Sequence, residues 1–177
     1  MKFTNGYWEM KKNIKIAYIG GGSKLWARVF MSDLAVAEDL SGEIALYDID
    51  LEAAERNACI RQRIEQDPAT KSVFRYRVCP RLEDALQGAD FVLISILPGT
   101  FKEMRSDVHV PEKYGVYQSV GDTAGPGGVL RAMRTVPCYE LFARKIRAIW
   151  RLTAAGWKAW LRFTPLFLCW MTTCAFP

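Results

Sequence analysis

The sequence predicts an α/β fold with a doubly wound parallel sheet, because short apolar segments alternate with helical segments along the chain. Segments rich in β-branched and aromatic residues predict four strands, at residues 14–19, 43–47, 74–79 and 91–96. The last of them is nearly all apolar, as expected of a strand that helices cover on both faces. A run of glycines directly after the first strand is typical of the Rossmann-like form of this fold.

Helical segments connect the predicted strands. Ser23 is placed to cap a helix that runs to about residue 38, and Asp50 is placed to cap a long helix through residue 64. A short helix is expected over residues 82–86. Together with the strands, these helices give the β-α-β order that parallel sheets require.

The pattern changes after the fourth strand. Residues 100–128 contain many turn formers, and residues 129–146 predict a helix that Pro137 interrupts or bends. His109 lies between valines in a segment expected to be strand or loop, which favours a structural role over a catalytic one. Cys138 follows a proline within the helical segment and is expected in the core rather than on a metal.

The net charge of +5 belongs to the last part of the chain. Residues 141–177 carry six basic residues and no acidic one, whereas residues 1–140 carry 18 basic and 19 acidic residues. A nucleic-acid surface needs Lys and Arg clustered on one face of a folded domain, and the nearly neutral body shows no such cluster. The apolar run at 163–171 falls well short of the ~20 residues that span a bilayer. We therefore expect neither a nucleic acid nor a membrane as partner.

The cysteines favour a reducing compartment. Five are present, an odd number, and they form no C-x-x-C pair and no metal-ligand spacing with the single histidine. Residues 1–13 carry no apolar stretch of signal-peptide length and are interpreted as an N-terminal extension. We expect a cytoplasmic protein with reduced thiols.

The first candidate site is a glycine turn between the first strand and its helix, formed by Gly20, Gly21, Gly22 and Ser23. Glycines let the backbone approach a pyrophosphate, and the helix that follows offers unpaired N–H groups. Asp48, at the end of the second strand, can accept hydrogen bonds from a ribose 2′-hydroxyl and repel a 2′-phosphate, which favours NAD over NADP. A leucine replaces the usual third glycine, and a glycine turn that binds no dinucleotide is the alternative.

The second candidate site is a polar, glycine-rich loop over residues 118–128 that leads into a helix bearing Arg131 and Arg134. It follows the carboxyl end of the fourth strand, where doubly wound folds bind ligands. Asp122 could contact sugar hydroxyls, and either arginine could bind a carboxylate. The alternative is a surface turn in which Asp122 only caps a loop.

These motifs resemble glycoside hydrolase family 4 over about residues 14–147. The specific part is Gly-Asp-Thr-Ala-Gly-Pro-Gly-Gly at 121–128, followed by Arg-Ala-Met-Arg-Thr at 131–135. Members that act on 6-phosphoglycosides usually read Gln-Glu-Thr-Thr before Gly-Pro-Gly-Gly, where this chain has Val-Gly-Asp-Thr. Ile-Leu-Pro-Gly-Thr at 96–100 and Pro-Glu-Lys-Tyr-Gly at 111–115 are most similar to the branch that includes the α-galacturonidases.

The resemblance implies a glycosidase that uses NAD and a divalent metal, usually manganese, in place of the usual pair of carboxylates. In such a cycle a hydride leaves carbon 3 of the sugar, a proton leaves carbon 2, the glycosidic oxygen is eliminated, and water and hydride are added back. Gly20, Gly21, Gly22, Ser23 and Asp48 would then bind the cofactor, and Asp122 would contact the unphosphorylated α-glycoside or galacturonide. The family's metal ligands and tyrosine base belong to motifs that this sequence lacks, so no catalytic or metal-binding residue is assigned.

The resemblance suggests three parts in the chain. Residues 1–13 are the extension, residues 14–147 the NAD-binding Rossmann-like domain, and residues 148–177 an atypical tail, with the family's catalytic C-terminal domain missing. The tail holds four of the six tryptophans, two cysteines and no acidic residue. A slip of the reading frame near residue 147 would explain this composition, and a genuine divergent ending is the alternative.

Three functions remain open at this point. The leading one is the front part of a family 4 glycosidase, inactive as these 177 residues alone, whose full-length form is expected to be a homo-oligomer. The second is an NAD-dependent dehydrogenase of the lactate/malate type, which shares the nucleotide fold but lacks the glycine-rich block at 121–128. The third is a fragment that binds a nucleotide, or folds only in part, without being an enzyme.

Overall fold

The computed structural model describes residues 2–4, 7–9, 13–38, 40–119 and 125–151. The chain divides into two compact units, Met1–Ile96 and Leu97–Pro177. In the first unit a short antiparallel pair, β1 (Lys2–Thr4) and β2 (Tyr7–Glu9), precedes the main sheet.

Four parallel strands form the main sheet of the first unit. They are β3 (Asn13–Ile19), β4 (Ser41–Tyr47), β5 (Val73–Val78) and β6 (Phe91–Ile94). Their spatial order is β5-β4-β3-β6, so that the chain starts in the middle, runs to one edge and crosses back to the other. This matches the order of the first four strands of a dinucleotide-binding fold. The prediction of a Rossmann-like α/β fold is confirmed.

Four helices connect these strands: α1 (Trp26–Ala35), α2 (Leu51–Cys59), α3 (Arg61–Gln66) and α4 (Leu82–Leu86). The predicted helix through residue 64 is therefore two helices, which meet at Ile60. Asp50 caps α2 as predicted, because its Oδ1 atom accepts a 3.0 Å hydrogen bond from the Ala53 N–H. The first helix begins later than expected, and Ser23 caps it from outside, with Oγ 3.1 Å from the Trp26 N atom.

One face of the sheet forms the apolar core. Strand residues alternate between the two faces, so the side chains on this face are Ile14, Ile16, Tyr18, Ile44, Leu46 and Phe74. Ala27 of α1 and Ala54 of α2 are fully buried against this face, because their small side chains let both helices approach the sheet closely. Tyr18 also packs on Phe30 of α1, with ring centroids 5.6 Å apart.

The other face carries a row of charges across three strands. Glu43 on β4 pairs with Arg77 on β5, with 2.9 Å between Oε1 and Nε, and lies 3.9 Å from the Lys15 Nζ atom on β3. Lys15 also donates to the Gln87 carbonyl, and Arg77 to the Asp84 carbonyl, beside α4. This face is thus less apolar than the sequence prediction of strands buried on both faces implied.

The second unit is helical in its described part. It contains α5 (Phe101–His109), a 3-10 helix over Pro111–Tyr114 that ends at Gly115, and the long α6 (Pro126–Arg151). The prediction of a turn-rich segment here missed α5, and His109 is the last residue of that helix rather than part of a strand or loop. The missed signal is a capping box in which Thr100 and Glu103 bond to each other's backbone N–H groups. Pro137 lies inside α6 without ending it.

None of the helices in the described ranges is long and apolar enough to cross a membrane.

Leu46→Ala should strongly destabilise the first unit. Leu46 is fully buried in the central strand β4, and removing its side chain leaves a cavity that costs about 2–5 kcal/mol. Val73→Ala is the matched control, because Val73 begins the edge strand β5 and is 71% exposed, so its loss should cost less than about 0.5 kcal/mol. Urea unfolding of both variants measures the difference, and similar midpoints would contradict this account of the core.

Candidate functional site

The candidate site begins where the glycine turn, residues 20–23, is tied to the end of β4. The backbone N–H groups of Gly20 and Gly21 both donate to the Tyr47 carbonyl oxygen, at 2.8 and 3.0 Å. The Ser23 N–H donates to the Gly20 carbonyl at 3.1 Å and closes the turn. The turn is therefore placed by backbone contacts at the carboxyl ends of the two central strands.

Only glycine fits at the two ends of the glycine run. Gly20 has a φ of 96°, and a Cβ atom there would lie 1.9 Å from the Ser95 carbonyl oxygen beyond β6. A Cβ atom on Gly22 would lie 2.7 Å from the Cβ atom of Ala53 on α2. Both positions require glycine because the chain just beyond β6 and helix α2 lie so close to the turn. These are two of the glycines that were predicted to bind the nucleotide.

Asp48 lies directly beside the glycine turn. Its Oδ2 atom accepts a 2.8 Å hydrogen bond from the Gly22 N–H, and its Oδ1 atom accepts a 3.0 Å bond from the Asp50 N–H. A carboxylate has about four acceptor positions, so both oxygens keep a lone pair for a further donor. Asp48 therefore keeps acceptor positions free beside the turn, and it also supports the turn, a role that the sequence did not reveal.

The backbone at the start of α1 offers donors next to this carboxylate. Among the described residues, none accepts a hydrogen bond from the N–H of Lys24 or Leu25. Leu25 is the N-cap of α1, where unpaired N–H groups point along the helix axis and the helix dipole places partial positive charge, and Lys24 lies one residue before it. An anionic group with hydroxyls nearby, such as a nucleotide, matches this arrangement of donors and carboxylate.

A buried amide from α2 completes the turn. Asn57 is 1% exposed and donates through Nδ2 to the Gly21 and Ser23 carbonyl oxygens, at 2.7 and 2.9 Å. The sequence analysis missed this residue. The available signal was an asparagine three positions after Ala54, on the face of α2 that otherwise packs on the sheet.

Tyr18 lies near the carboxyl end of β3, two residues before Gly20, and its side chain is buried in the apolar core. Burial raises the pKa of Tyr18, and a hydrogen bond with the Ser95 side chain partly offsets that rise. The phenol is therefore neutral at physiological pH and serves as a packing and hydrogen-bonding group rather than a proton carrier.

The second candidate site lies in the other unit and is only partly described. Asp122, the predicted sugar-binding residue, and its neighbours at 120–124 lie outside the described residues. Gly127, just after them, donates from its N–H to the Gln118 Oε1 atom at 3.4 Å. A Cβ atom on Gly127 would lie 2.4 Å from the Asp107 carbonyl oxygen, so α6 begins in close contact with α5.

Arg134 is engaged by a carboxylate of the protein itself. Both of its terminal nitrogens hydrogen bond to the two carboxylate oxygens of Asp107, whose side chain is 5% exposed. The prediction that Arg131 or Arg134 binds a ligand carboxylate stays untested, and the structure adds that Arg134 already forms a bidentate pair with a carboxylate of the protein. In the described part of the chain, its buried Nε atom has no hydrogen-bond partner.

The other polar candidates show local contacts. His109 is exposed and forms a 3.0 Å hydrogen bond with Glu112 through Nδ1. Cys138, which was expected in the core, is half-buried, and its Sγ atom donates to the Arg134 carbonyl oxygen one turn back, at 3.5 Å. The described residues contain no group of three or more His, Cys, Asp or Glu side chains that could bind a metal ion.

Comparison with known proteins decides the family. A sequence model described as family 4 glycosyl hydrolase matches residues 15–157. The chain belongs to this family. The resemblance inferred from the motifs is confirmed, and the match favours a family 4 protein over a dehydrogenase of the lactate/malate type.

Several relatives within family 4 are α-galacturonidases. The enzyme of Thermoanaerobacter italicus is 59% identical over 136 residues, which cover 77% of this chain and 29% of that protein. The enzyme of Bacillus subtilis is 52% identical over 134 residues, covering 76% and 29%. The chain thus spans about three tenths of the length of these relatives.

Solved family 4 structures share the fold. The Bacillus subtilis protein lplD, assigned as a glucosidase, superposes with a TM-score of 0.69 at 51% identity, covering 77% of this chain and 30% of that one. The 6-phospho-β-glucosidase of Thermotoga maritima, solved with manganese, NAD⁺ and glucose-6-phosphate, gives a TM-score of 0.64 at 29% identity, covering 77% and 32%. The Rossmann-like sheet is therefore a family feature.

Arg134→Met should destabilise the second unit more than Arg144→Met. Removing Arg134 leaves Asp107 buried without its cation, at a cost of about 2–3 kcal/mol once the partial exposure of the arginine is considered. Arg144 pairs on the same helix with Glu140, and both side chains are exposed, so its loss should cost less than about 0.5 kcal/mol. Thermal unfolding compares the two variants, and equal losses of stability would show that the buried ion pair contributes no more than the exposed one.

Proposed function

We propose that this chain is the NAD-binding portion of a family 4 glycosidase that acts on α-galacturonides. The observation that supports the substrate class is the level of identity. Four α-galacturonidases are 52–59% identical to the chain, whereas an α-galactosidase of Bacillus subtilis is 34% identical and a 6-phospho-β-glucosidase of that organism is 28% identical.

NAD is the cofactor that the described residues fit. The glycine turn and the start of α1 would contact the pyrophosphate, and Asp48, 2.8 Å from the Gly22 N atom, would contact the ribose hydroxyls. When bound, NAD would supply the hydride acceptor for an oxidation and elimination route, in which the sugar is oxidised at carbon 3 before the glycosidic bond breaks. Relatives solved with NAD support this assignment.

The residues for the sugar are assigned by motif. Asp122 lies in the glycine-rich block at 121–128 that distinguishes the family from related dehydrogenases, and we propose that its carboxylate contacts the sugar hydroxyls. The described residues offer no group of three or more His, Cys, Asp or Glu side chains that could bind manganese. We also propose a cytoplasmic location, which the odd number of cysteines favours.

The chain should bind NAD more tightly than NADP. The carboxylate of Asp48 accepts hydrogen bonds from ribose hydroxyls and repels a 2′-phosphate. We expect this repulsion to make the affinity for NADP about 10-fold or more lower than the affinity for NAD. Asp48→Asn should remove most of this difference while an amide oxygen still accepts from the Gly22 N–H. Asp50→Asn is the control, because the carboxylate of Asp50 is exposed and caps the N-terminus of α2. Calorimetric titration measures all three proteins, and equal or tighter NADP binding by the native chain would contradict the role of Asp48.

A chimera tests the proposed substrate. Residues 15–147 of this chain replace the matching segment of the Thermoanaerobacter italicus α-galacturonidase, and the product is assayed on aryl galacturonides and galactosides with NAD and manganese. We expect turnover of galacturonides only, and Asp122→Ala in the chimera should lower kcat/KM by about 10- to 100-fold with NAD affinity unchanged. The 177-residue chain alone should be inactive. A folded chimera that prefers galactosides, or turnover by the chain alone, would overturn the proposal.

A further inference from the structure

Asn57 is a buried polar side chain that the proposed function does not yet use. It is 1% exposed, and it lies on α2 rather than on the turn or on β4. A buried amide is costly unless its donors and acceptor are satisfied, so its position requires specific partners. Those partners are the backbone of the glycine turn and Arg28 of α1.

The hydrogen bonds of Asn57 fix which way its amide faces. Both Nδ2 hydrogens are used by the Gly21 and Ser23 carbonyl oxygens, and Oδ1 accepts a 3.1 Å bond from the Arg28 Nε atom. The reversed amide would place an oxygen against two carbonyl oxygens and an NH₂ group against a guanidinium. Only one orientation is therefore compatible with its surroundings.

Binding two carbonyl oxygens of the turn also orients the next two N–H groups. A trans peptide is planar, and its C=O and N–H bonds point in opposite directions. Because Asn57 holds the Gly21 carbonyl toward α2, the Gly22 N–H points away from α2. On that side it donates to the Asp48 carboxylate. In the same way, Asn57 holds the Ser23 carbonyl, so the Lys24 N–H points away from α2. On that side no described residue accepts a hydrogen bond from it.

We propose that Asn57 is a positioning residue for nucleotide binding, which sets the glycine turn so that the Gly22 N–H braces Asp48 and the Lys24 N–H faces the pyrophosphate. This inference rests on the proposed binding of NAD at the turn. Asn57 touches neither cofactor nor sugar in this scheme. Its contribution is to keep the donors of the turn oriented before the nucleotide arrives, which reduces the ordering cost of binding.

The test compares NAD affinity with stability in the full 177-residue chain. Asn57→Asp keeps the shape of the side chain but replaces both donors by a carboxylate oxygen facing two carbonyls, and Asn57→Ala removes all three hydrogen bonds. We expect both to weaken NAD and ADP-ribose binding by about 10- to 100-fold in calorimetric titration. Glu55→Gln, an exposed change on the same helix, should leave both affinities unchanged.

A second comparison separates positioning from simple destabilisation. Phe74→Leu weakens the core at the start of β5, away from the turn, and should lower the melting temperature while leaving NAD affinity within about twofold of native. Arg28→Met removes only the donor that orients the amide, on an exposed side chain, and should weaken NAD by about 3- to 10-fold without preventing folding. Arg28→Met therefore still tests the inference if the Asn57 variants do not fold.

The outcomes distinguish this inference from the proposal on which it rests. Failure of the native chain to bind NAD would overturn the proposed function, and the inference with it. Native NAD binding with unchanged affinity in Arg28→Met and in the folded Asn57 variants would overturn the inference alone. So would an equal loss of affinity in Phe74→Leu. Shifted ¹⁵N–¹H resonances of Gly22 and Lys24 in the nucleotide-free Asn57→Ala chain would support it, and unchanged resonances would overturn it.

Discussion

The candidate nucleotide site depends on one carbonyl oxygen at the end of the second strand of the sheet. The Tyr47 carbonyl accepts from both Gly20 and Gly21, and this pair of bonds attaches the glycine turn to β4. Because Asp48 follows Tyr47 in the chain, the same attachment brings its carboxylate to the Gly22 N–H. Backbone geometry thus places the acidic side chain, and the side chain in turn fixes the backbone. Neither element would be positioned without the other.

The close packing around the turn follows from this attachment. With the turn at the ends of β3 and β4, the Ser95 carbonyl beyond β6 and Ala53 on α2 leave no room for a Cβ atom on the glycines. Asn57 is buried beside the turn, and both hydrogens of its amide are donated to carbonyl oxygens of the turn. The apolar face of the sheet, with Leu46 at its centre, supports this arrangement from below.

The elements of the first unit could be predicted because their signals are local. A β-branched run followed by glycines, and a second run followed by an acidic residue, specify strands, turn and Asp48 from short stretches of sequence. Asn57 could not be found in this way, because it bonds to carbonyl oxygens 36 and 34 residues earlier, and every residue has a carbonyl. The pairing of Arg134 with Asp107 likewise joins side chains 27 residues apart, so the sequence could not show that this arginine has a carboxylate partner within the protein. Helix α5 was missed, although its capping box is local, because the turn formers in the surrounding segment favoured the prediction of a turn-rich region.

The double role of Asp48 has a consequence for protein engineering. Cofactor preference in nucleotide-binding folds is commonly altered by exchanging the acidic residue for a small or basic one. Here that exchange would also remove the acceptor of the Gly22 N–H and the first contact of the Asp50 N–H, on which the entry into α2 depends. An NADP-using variant of this sheet would therefore need a replacement that still offers an oxygen to the backbone, with the positive charge for the phosphate introduced from a different position. In the proposed site, cofactor specificity and local folding would depend on the same two oxygen atoms of Asp48.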